Sequence, residues 1–439
     1  MLVFVCHLTV YHFGKGGFDM STATTEKLPS PFKNRNFTML YFGQMVSLFG
    51  DWFKTIALIS VIYAIVPTAS SIGGLFIASV LPVLFGGIMM GPFVDRWNKK
   101  RLMIWVDILR TISTLGIVAG VMMENIWVIY ACISFGAFAS AAFAPARTSM
   151  IPEILKEQNL IAATSSFALL NSTMMVLASA IGGFLTQWVG AVNILYFDAF
   201  SYLVSAVFIA LIKYTPMEKK SAARLPYLQQ VKEGIEYVKK CPQLVSVFWL
   251  QFFRDFCLGF IYILFPLYVL NELQAGDAGV GIGYSVTAVA YIIGAVLLKQ
   301  YFKKRKFDDS SYFKIYFPSN MLYGIGLGCM FIIHNWYLFF AVMLLANIFQ
   351  SKVNVITETS LMTYSKPELR GRVVATWLSM SRLAYGISLP LFSIIGGYIP
   401  SAIGGWMLAA ICVVSAAVLF LWLKGKLYRE SVGEETQAV

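Results

Sequence analysis

The chain has 439 residues, of which 58% are hydrophobic and 13% charged, and its mean hydropathy is +0.71. This composition excludes an ordinary soluble domain, because no soluble fold buries so much apolar surface. The net charge of +12 does not indicate a nucleic-acid-binding protein, since the basic residues stand in short loops between apolar segments. Anionic lipid headgroups are the expected partners of these loops.

The N-terminal segment, residues 1–36, is expected to be cytoplasmic. Residues 1–10 are apolar but too short to cross a bilayer, and no small-residue cleavage site follows them. Lys15-Gly16-Gly17 can be encoded by a purine-rich ribosome-binding sequence just before Met20. We therefore expect translation to begin at Met20, which would make residues 1–19 an over-extended start.

Twelve apolar segments each have about the 20 residues that a helix needs to cross a bilayer. They are 37–66, 72–94, 102–122, 126–146, 160–186 and 192–212, followed after a polar stretch by 244–270, 279–298, 312–333, 336–357, 373–399 and 403–423. The sequence therefore predicts an all-α integral membrane protein with 12 transmembrane helices. An even number of crossings places both termini on one side of the membrane.

The basic residues predict the orientation, because cytoplasmic loops collect Lys and Arg. The loops on the side of the two termini carry most of the 34 lysines and arginines, whereas the loops on the other side carry none. Both termini, including the tail 424–439, are therefore expected in the cytoplasm.

Short sequences recur in the same order in the two halves of the chain, at nearly one offset. The matches are 179–185 with 393–399, 204–206 with 414–416, and 147–150 with 358–361. This repetition predicts two pseudo-symmetric six-helix bundles, 37–212 and 244–423, related by an axis along the membrane normal.

The linker between the bundles, 213–243, contains a predicted amphipathic helix. Leu228, Val231, Ile235 and Val238 recur at helical spacing opposite charged side chains. Two interpretations remain open: the helix lies on the inner leaflet of the membrane, or it is an ordinary solvated linker helix.

A charged hinge, 91–101, joins the second and third apolar segments. It resembles the Gly-x-Leu-x-Asp-Arg-x-Gly-Arg-Lys signature of the major facilitator superfamily, with matches at Gly91, Asp95, Arg96, Lys99 and Lys100. Asn98 replaces the second glycine of the signature and is expected to tolerate a positive φ.

The resemblance implies that the hinge acts as a latch at the cytoplasmic gate. Asp95 would lie near the N-terminus of the eleventh span, around residues 371–375, where the helix dipole favours a carboxylate. Lys99 and its basic neighbours would meet acids such as Asp107 or Glu153. The alternative is a loop that only fixes topology by its positive charge.

Three further stretches resemble the drug:proton antiporter branch of this superfamily, which includes bacterial macrolide-efflux proteins. They are Ser-Leu-Phe-Gly-Asp at 47–51, Phe-Ala-Pro-Ala-Arg at 143–147 with Ile-Pro-Glu at 151–153, and Pro-Glu-Leu-Arg-Gly-Arg-Val at 367–373. The branch also contains siderophore exporters and lysophospholipid transporters. The fifth span keeps the small residues of the antiporter motif but has no proline at 178–183.

Ionisable residues within spans are costly in hydrocarbon and normally face a bundle interior or a cavity. Asp51 and Arg254 are expected near mid-depth and are the first candidates for proton coupling or substrate binding, and Asp198, Asp255 and Lys352 are further candidates. A carboxylate in a poorly hydrated cavity can bind and release a proton near neutral pH. The alternative is a set of fixed ion pairs that orient the helices.

Two further groups complete the predicted site. Residues near the cytoplasmic face are assigned to the gate: Gly91, Asp95, Arg96, Lys99, Lys100, Asp107, Arg110, Glu358, Arg370 and Arg372. A few aromatic residues are expected to line the cavity: Tyr41, Phe49, Trp52, Phe252, Phe256 and Tyr262.

The predicted function is export of amphipathic, drug- or macrolide-like small molecules across the bacterial cytoplasmic membrane by alternating access, in exchange for protons. The single cysteines and three histidines predict no disulfide framework or metal site, and without a phosphate-binding glycine loop we expect no enzyme and no cofactor. The expected partners are substrate, protons and membrane lipids, with a monomer sufficient. Two alternatives remain: a lipid, lysophospholipid or siderophore transporter, and a non-transporting membrane sensor or scaffold.

Overall fold

A computed structural model describes residues 30–155, 160–214, 227–303, 305, 307–366 and 368–437. Within helices, the side chains at 88, 91–96, 161, 227–228, 230 and 429–437 are outside this description. The α-helices are α1 (Arg35–Ile65), α2 (Ala69–Arg96), α3 (Lys99–Met122), α4 (Ile126–Ser140), α5 (Phe143–Ile154), α6 (Leu160–Val189), α7 (Ala191–Ala210), α8 (Tyr227–Val238), α9 (Pro242–Leu267), α10 (Gly276–Phe302), α11 (Phe317–Met330), α12 (Trp336–Thr363), α13 (Arg370–Ile395) and α14 (Ser401–Gln437).

The protein is an all-α membrane protein, as predicted. Across the described ranges, 11 helical segments are long and apolar enough to cross a bilayer. The segment predicted at 312–333 is a π-helical turn, Tyr312–Tyr316, followed by the 14-residue α11. The segment predicted at 126–146 is divided between α4 and α5. The spans predicted at 244–270 and 373–399 continue past their α-helices into the π-helical turn Tyr268–Glu272 and the 3-10 turn Gly396–Tyr398. Every predicted span therefore falls mainly on helical structure.

Asparagine side chains begin several of the helices. Oδ1 of Asn98 accepts a hydrogen bond from the backbone N–H of Arg101 at 3.2 Å, and Asn125 and Asn335 cap α4 and α12 in the same way. The φ of Asn98 is −64°, so this position does not use the tolerance of asparagine for a positive φ. Asparagine satisfies the free N–H groups at the start of α3 instead of making a left-handed turn.

The helices form two compact units. The first spans Met1–Ile65 and Ala78–Lys220, and the second spans Val66–Ile77 and Ser221–Val439. The division near residue 220 falls within the linker predicted at 213–243. The individual domain boundaries stay a prediction.

The two units use the same helix pairing. In the first, α1 packs against α6 and α7, and α3 packs against α4 and α7. In the second, α9 packs against α13 and α14, and α11 packs against α12 and α14. Helices at corresponding places in the sequence repeat therefore make corresponding contacts, as two repeated bundles require.

Small residues allow the helices of each unit to approach closely. A Cβ at Gly50 of α1 would lie 2.8 Å from Oδ1 of Asp198 on α7, and a Cβ at Gly182 of α6 would lie 2.8 Å from the ring of Phe53. Close backbone approach through glycine is typical of helix packing in membranes. At Gly50 it brings α1 against the charged part of α7.

The linker helix α8 packs against α13. Oγ1 of Thr376 donates to the carbonyl of Val231 at 3.1 Å, and Arg372 forms an ion pair with Glu233. Val238 is buried against Trp377, whereas Ile235 is 41% exposed. The predicted amphipathic helix therefore uses part of its surface for docking within the second unit, and its contact with the membrane stays a prediction.

Candidate functional site

The first unit buries a group of charged side chains where α1, α3 and α7 meet. This group, the first-unit cluster, consists of Asp51 and Lys54 from α1, Asp107 and Arg110 from α3, and Asp198 from α7. Asp51 is 8% exposed, and Asp107 and Asp198 are fully buried. The packing of α7 against both α1 and α3 brings these residues together.

Asp51 is the most heavily bonded member of the cluster. Nη2 of Arg110 lies 2.7 Å from both of its carboxylate oxygens, and the hydroxyl of Tyr202 donates to Oδ1 at 2.5 Å. The guanidinium of Arg110 lies 4.0 Å from the ring centre of Tyr202, a cation–π contact. Asp51 is therefore held by a cation and a phenol from two other helices.

Lys54 lies between two carboxylates. Its Nζ is 3.3 Å from Oδ1 of Asp51 and 3.0 Å from Oδ2 of Asp198, and it also contacts the hydroxyl of Tyr202. Oγ1 of Thr114 donates to Oδ2 of Asp198 at 3.0 Å. Within the described part of the chain, Oδ1 of Asp198 has no hydrogen-bond partner.

The first-unit cluster has more acids than bases. Asp107 completes it, with Oδ1 at 3.5 Å from Nη1 of Arg110. Three carboxylates thus face two cations. Such a group is electrically balanced when one carboxylate carries a proton, because an unpaired buried charge is costly.

The grouping of these residues differs from the one based on sequence. Asp107 and Arg110 were assigned to a gate apart from Asp51, but they belong to the same cluster. Counting residues from the ends of a span ignores which turns of neighbouring helices meet, and the long side chain of Arg110 reaches across the interface. Lys54 and Tyr202 were not assigned to the site. The spacing of Asp198 and Tyr202, four residues apart on α7, places them on one helix face.

Arg147, in the Pro-Ala-Arg motif of α5, is buried rather than a solvated loop residue. It is 8% exposed, and its Nη1 donates to Oε1 of Gln44 at 2.9 Å. Its guanidinium carbon lies 4.9 Å from the ring centre of Phe167. The motif therefore attaches α5 to α1 and α6.

Two residues of the predicted gate, Lys99 and Lys100, lie at the start of α3. Lys99 forms an ion pair with Glu153, as expected, and Nζ of Lys100 donates to the carbonyl of Ile212 at 2.8 Å. The hydroxyl of Tyr214 donates to the same Glu153. Burial is the main cause that raises the pKa of the Tyr214 phenol, and the neighbouring carboxylate is the second. The side chains at 91–96, including Asp95 and Arg96, lie outside the described residues, so the latch stays a prediction.

The second unit contains a different polar group, the second-unit cluster, formed by Gln251, Arg254 and Asp255 of α9 and Ser381 of α13. Arg254 is 4% exposed and Asp255 is 2% exposed. Nε2 of Gln251 donates to both oxygens of Asp255 at 2.8 Å, and Ser381 donates to Oδ2. Oε1 of Gln251 accepts a hydrogen bond from Nη2 of Arg254.

The remaining charged candidates are dispersed over α12 and α13. Glu358 interacts electrostatically with Arg254, and its Oε1 is buried without a hydrogen-bond partner in the described chain. Nζ of Lys352 lies 5.0 Å from the ring centre of Phe349. Arg372 binds the linker helix through Glu233, and Nε of Arg370 is buried without a partner among the described residues.

The predicted cavity aromatics lie in ring clusters within their own units or are buried. The ring-centre distances are 5.5 Å for Tyr41–Phe167, 4.5 Å for Phe49–Phe53, 5.9 Å for Trp249–Phe252, 5.4 Å for Phe256–Phe392 and 5.0 Å for Phe76–Tyr262. Trp52 is 5% exposed. These ring contacts do not test whether the aromatic residues touch a substrate, so that role stays a prediction.

Comparison with known proteins identifies the family. The model described as Major Facilitator Superfamily matches residues 40–308 and 247–438. The chain belongs to the major facilitator superfamily. It is a membrane transporter rather than an enzyme, and the resemblance based on the hinge is confirmed.

The chain is similar in sequence to named bacterial transporters. It is 26% identical over 395 residues to the uncharacterized MFS-type transporter YvqJ of Bacillus subtilis, covering 86% of this chain and 89% of YvqJ. It is 22% identical over 265 residues to macrolide efflux protein A of Streptococcus pyogenes, covering 60% of this chain and 65% of that protein. The match with YfiS of B. subtilis spans only 52% of YfiS.

Solved structures support the same fold. A crystal structure of a bacterial homologue of the human lysosomal transporter Spinster aligns with a TM-score of 0.68 at 13% identity, over 90% of this chain and 97% of that one. At this identity the likeness establishes the fold and not the substrate.

Proposed function

We propose that this major facilitator transporter exports amphipathic small molecules across the bacterial cytoplasmic membrane in exchange for protons. The observation that carries the proposal is the first-unit cluster, in which three buried carboxylates face two cations. The similarity to macrolide efflux protein A supports the outward direction of transport and the class of substrate.

The cluster acts as the proton carrier in this proposal. With one proton bound, the cluster is neutral; when the proton leaves, it carries one excess negative charge in a region of low dielectric. Asp51 is the centre of the device because Arg110, Lys54 and Tyr202 all bind it. Lys54 can then shift between Asp51 and Asp198 as the proton moves.

Alternating access turns this titration into transport. A ligand can bias a conformational equilibrium only by binding the two states with different affinity. The proton changes the cluster from negative to neutral, so the two conformations can bind it with different affinity. Proton release on the cytoplasmic side and uptake on the outer side then drive the cycle. Both termini lie in the cytoplasm in this arrangement, and a monomer in contact with membrane lipids suffices.

Transport in proteoliposomes tests the proposal. Counterflow of a fluorescent amphiphile is measured with and without an imposed pH gradient, using the wild-type chain and, as a control, the Asp308→Asn variant, which removes a carboxylate outside the cluster. We expect the gradient to accelerate transport in both. Equal rates with and without the gradient would exclude proton coupling and favour a lipid or lysophospholipid transporter, and no counterflow of any amphiphile would leave the sensor interpretation.

A further inference from the structure

We infer that Arg254 binds an acidic group, a carboxylate or a phosphate, of the transported molecule. The inference rests on the proposed transport function and specifies its substrate class. It begins with the charge of Arg254, which is 4% exposed in the interior of the second unit. Its Nη2 donates to Gln251, whereas Nε and Nη1 have no hydrogen-bond partner among the described residues.

Arg254 lacks a direct counter-ion although acids are near. Both oxygens of Asp255 are occupied by Nε2 of Gln251, and Oδ2 also accepts from Ser381. Gln251 thus stands between the guanidinium and the carboxylate, accepting from one and donating to the other. In the described part of the chain, no carboxylate oxygen lies within 4.0 Å of a guanidinium nitrogen of Arg254, so no ion pair forms there.

The other buried arginines are compensated differently. Arg110 lies 2.7 Å from both oxygens of Asp51 and stacks on Tyr202. Arg147 bonds Gln44 and lies over the ring of Phe167. Arg254 and Arg147 each donate to one amide, but Arg254 leaves two nitrogens, Nε and Nη1, without a partner among the described residues, whereas Arg147 leaves Nε alone.

The chemistry of guanidinium selects the occupant. A buried unpaired charge is costly, and a guanidinium offers adjacent N–H donors that match the two oxygens of a carboxylate or phosphate. Nε and Nη1 stand at different edges of the guanidinium, each beside Nη2, and both lack a partner among the described residues. An acidic group of a substrate would supply the missing counter-ion and accept a hydrogen bond from Nε or Nη1.

Glu358 is the rival occupant within the chain. It interacts electrostatically with Arg254, and its Oε1 also lacks a hydrogen-bond partner in the described structure. If Glu358 were the permanent partner of Arg254 in the working protein, the guanidinium would not distinguish an acidic substrate from a neutral one. Substrate preference therefore separates the two occupants.

Direct binding provides the test, because it does not depend on transport. The full chain in detergent is titrated with dansylaminoundecanoic acid, its primary amide and a dansyl-labelled alkyl phosphate, and binding is followed by dansyl fluorescence. We expect the wild type to bind the acid at least about tenfold more tightly than the amide, because the amide leaves the charge unpaired. The phosphate arm shows which of the two acidic groups is preferred.

Variants locate the preference. Arg254→Gln is expected to remove the preference for the acid, because the acid binds more weakly while the affinity for the amide is unchanged. Arg254→Lys is expected to retain part of the preference. Arg305→Gln, the same change at an arginine on the surface, keeps the preference of the wild type. Equal affinity of the wild type for acid and amide, or an unchanged preference in Arg254→Gln, overturns the inference. The wild-type comparison decides even if Arg254→Gln does not fold.

The same preparations separate this inference from the proposed function. Reconstituted wild-type chain is assayed for movement of the acid with and without a pH gradient. A preference for the acid in binding without any effect of the gradient would support Arg254 as the anion site and refute proton coupling. Gradient-driven transport with no preference would refute only the role of Arg254.

Discussion

Nη2 of Arg110 lies 2.7 Å from both carboxylate oxygens of Asp51, which joins α3 to α1 inside the first unit. Both side chains are only 11% exposed, so little water screens the pair. A buried pair of this kind is costly to break from one side, because the remaining charge is left without its partner. The pair therefore links the stability of the unit to the charge balance of the cluster.

Removing Arg110 alone is expected to be severely destabilising. Arg110→Gln leaves three carboxylates with Lys54, at a cost of about 3–5 kcal/mol in the free energy of unfolding. The double variant Arg110→Gln, Asp51→Asn should recover part of the lost stability, with a coupling energy of about 0.5–3 kcal/mol between the two residues. Thermal unfolding in detergent of the four members of this cycle measures the coupling, and strictly additive losses would contradict a direct interaction.

Neutralising Asp51 is expected to uncouple transport without preventing membrane insertion. Asp51→Asn leaves two carboxylates and two cations, so the cluster no longer needs a proton for neutrality. Export driven by a pH gradient should be lost, while the amount of protein in the membrane is kept. Asp308→Asn, at an exposed loop carboxylate, is the control. Undiminished export by Asp51→Asn would remove Asp51 from the mechanism.

The close approach of α1 and α7 makes Gly50 sensitive to substitution. A Cβ there would lie 2.8 Å from Oδ1 of Asp198, whereas a Cβ at Gly386 of α13 meets nothing within 4 Å. Gly50→Ala should cost about 1–3 kcal/mol through overpacking. Gly386→Ala should be neutral or stabilising by up to about 1 kcal/mol, since alanine favours a helix. Thermal stability in detergent compares the two, and equal effects would argue against a tight α1–α7 contact.

Asp95 separates a gating hinge from a loop that only fixes topology. Asp95→Asn leaves every Lys and Arg of the hinge in place, so insertion and orientation should be normal. We expect transport to fall by at least about tenfold if the carboxylate binds a helix N-terminus, as a transport assay with a parallel topology label can show. Normal transport by this variant would support the topology-only interpretation.

The hydropathy and repeat patterns predicted the membrane class, the helical spans and the duplication. The comparisons and the helix pairing confirm the class and the duplication, and 11 helical segments of the described chain are long and apolar enough to cross a bilayer. These features follow from one-dimensional rules, since a bilayer demands long apolar helices and a repeated sequence makes repeated contacts. The rules do not determine local exceptions. The break between α4 and α5 and the capping role of Asn98 depend on the detailed course of the backbone.

The identity of the buried charges was also evident from the sequence, because ionisable residues in apolar spans are conspicuous. Their partners were not. Asp107 and Arg110 join Asp51 because helix packing sets which turns meet. Arg254 is left without a counter-ion among the described residues because Gln251 comes between it and Asp255. Composition and spacing thus determined which residues carry charge into the membrane, whereas only the tertiary structure decided which of those charges are paired, since pairing depends on distances between helices far apart in the chain.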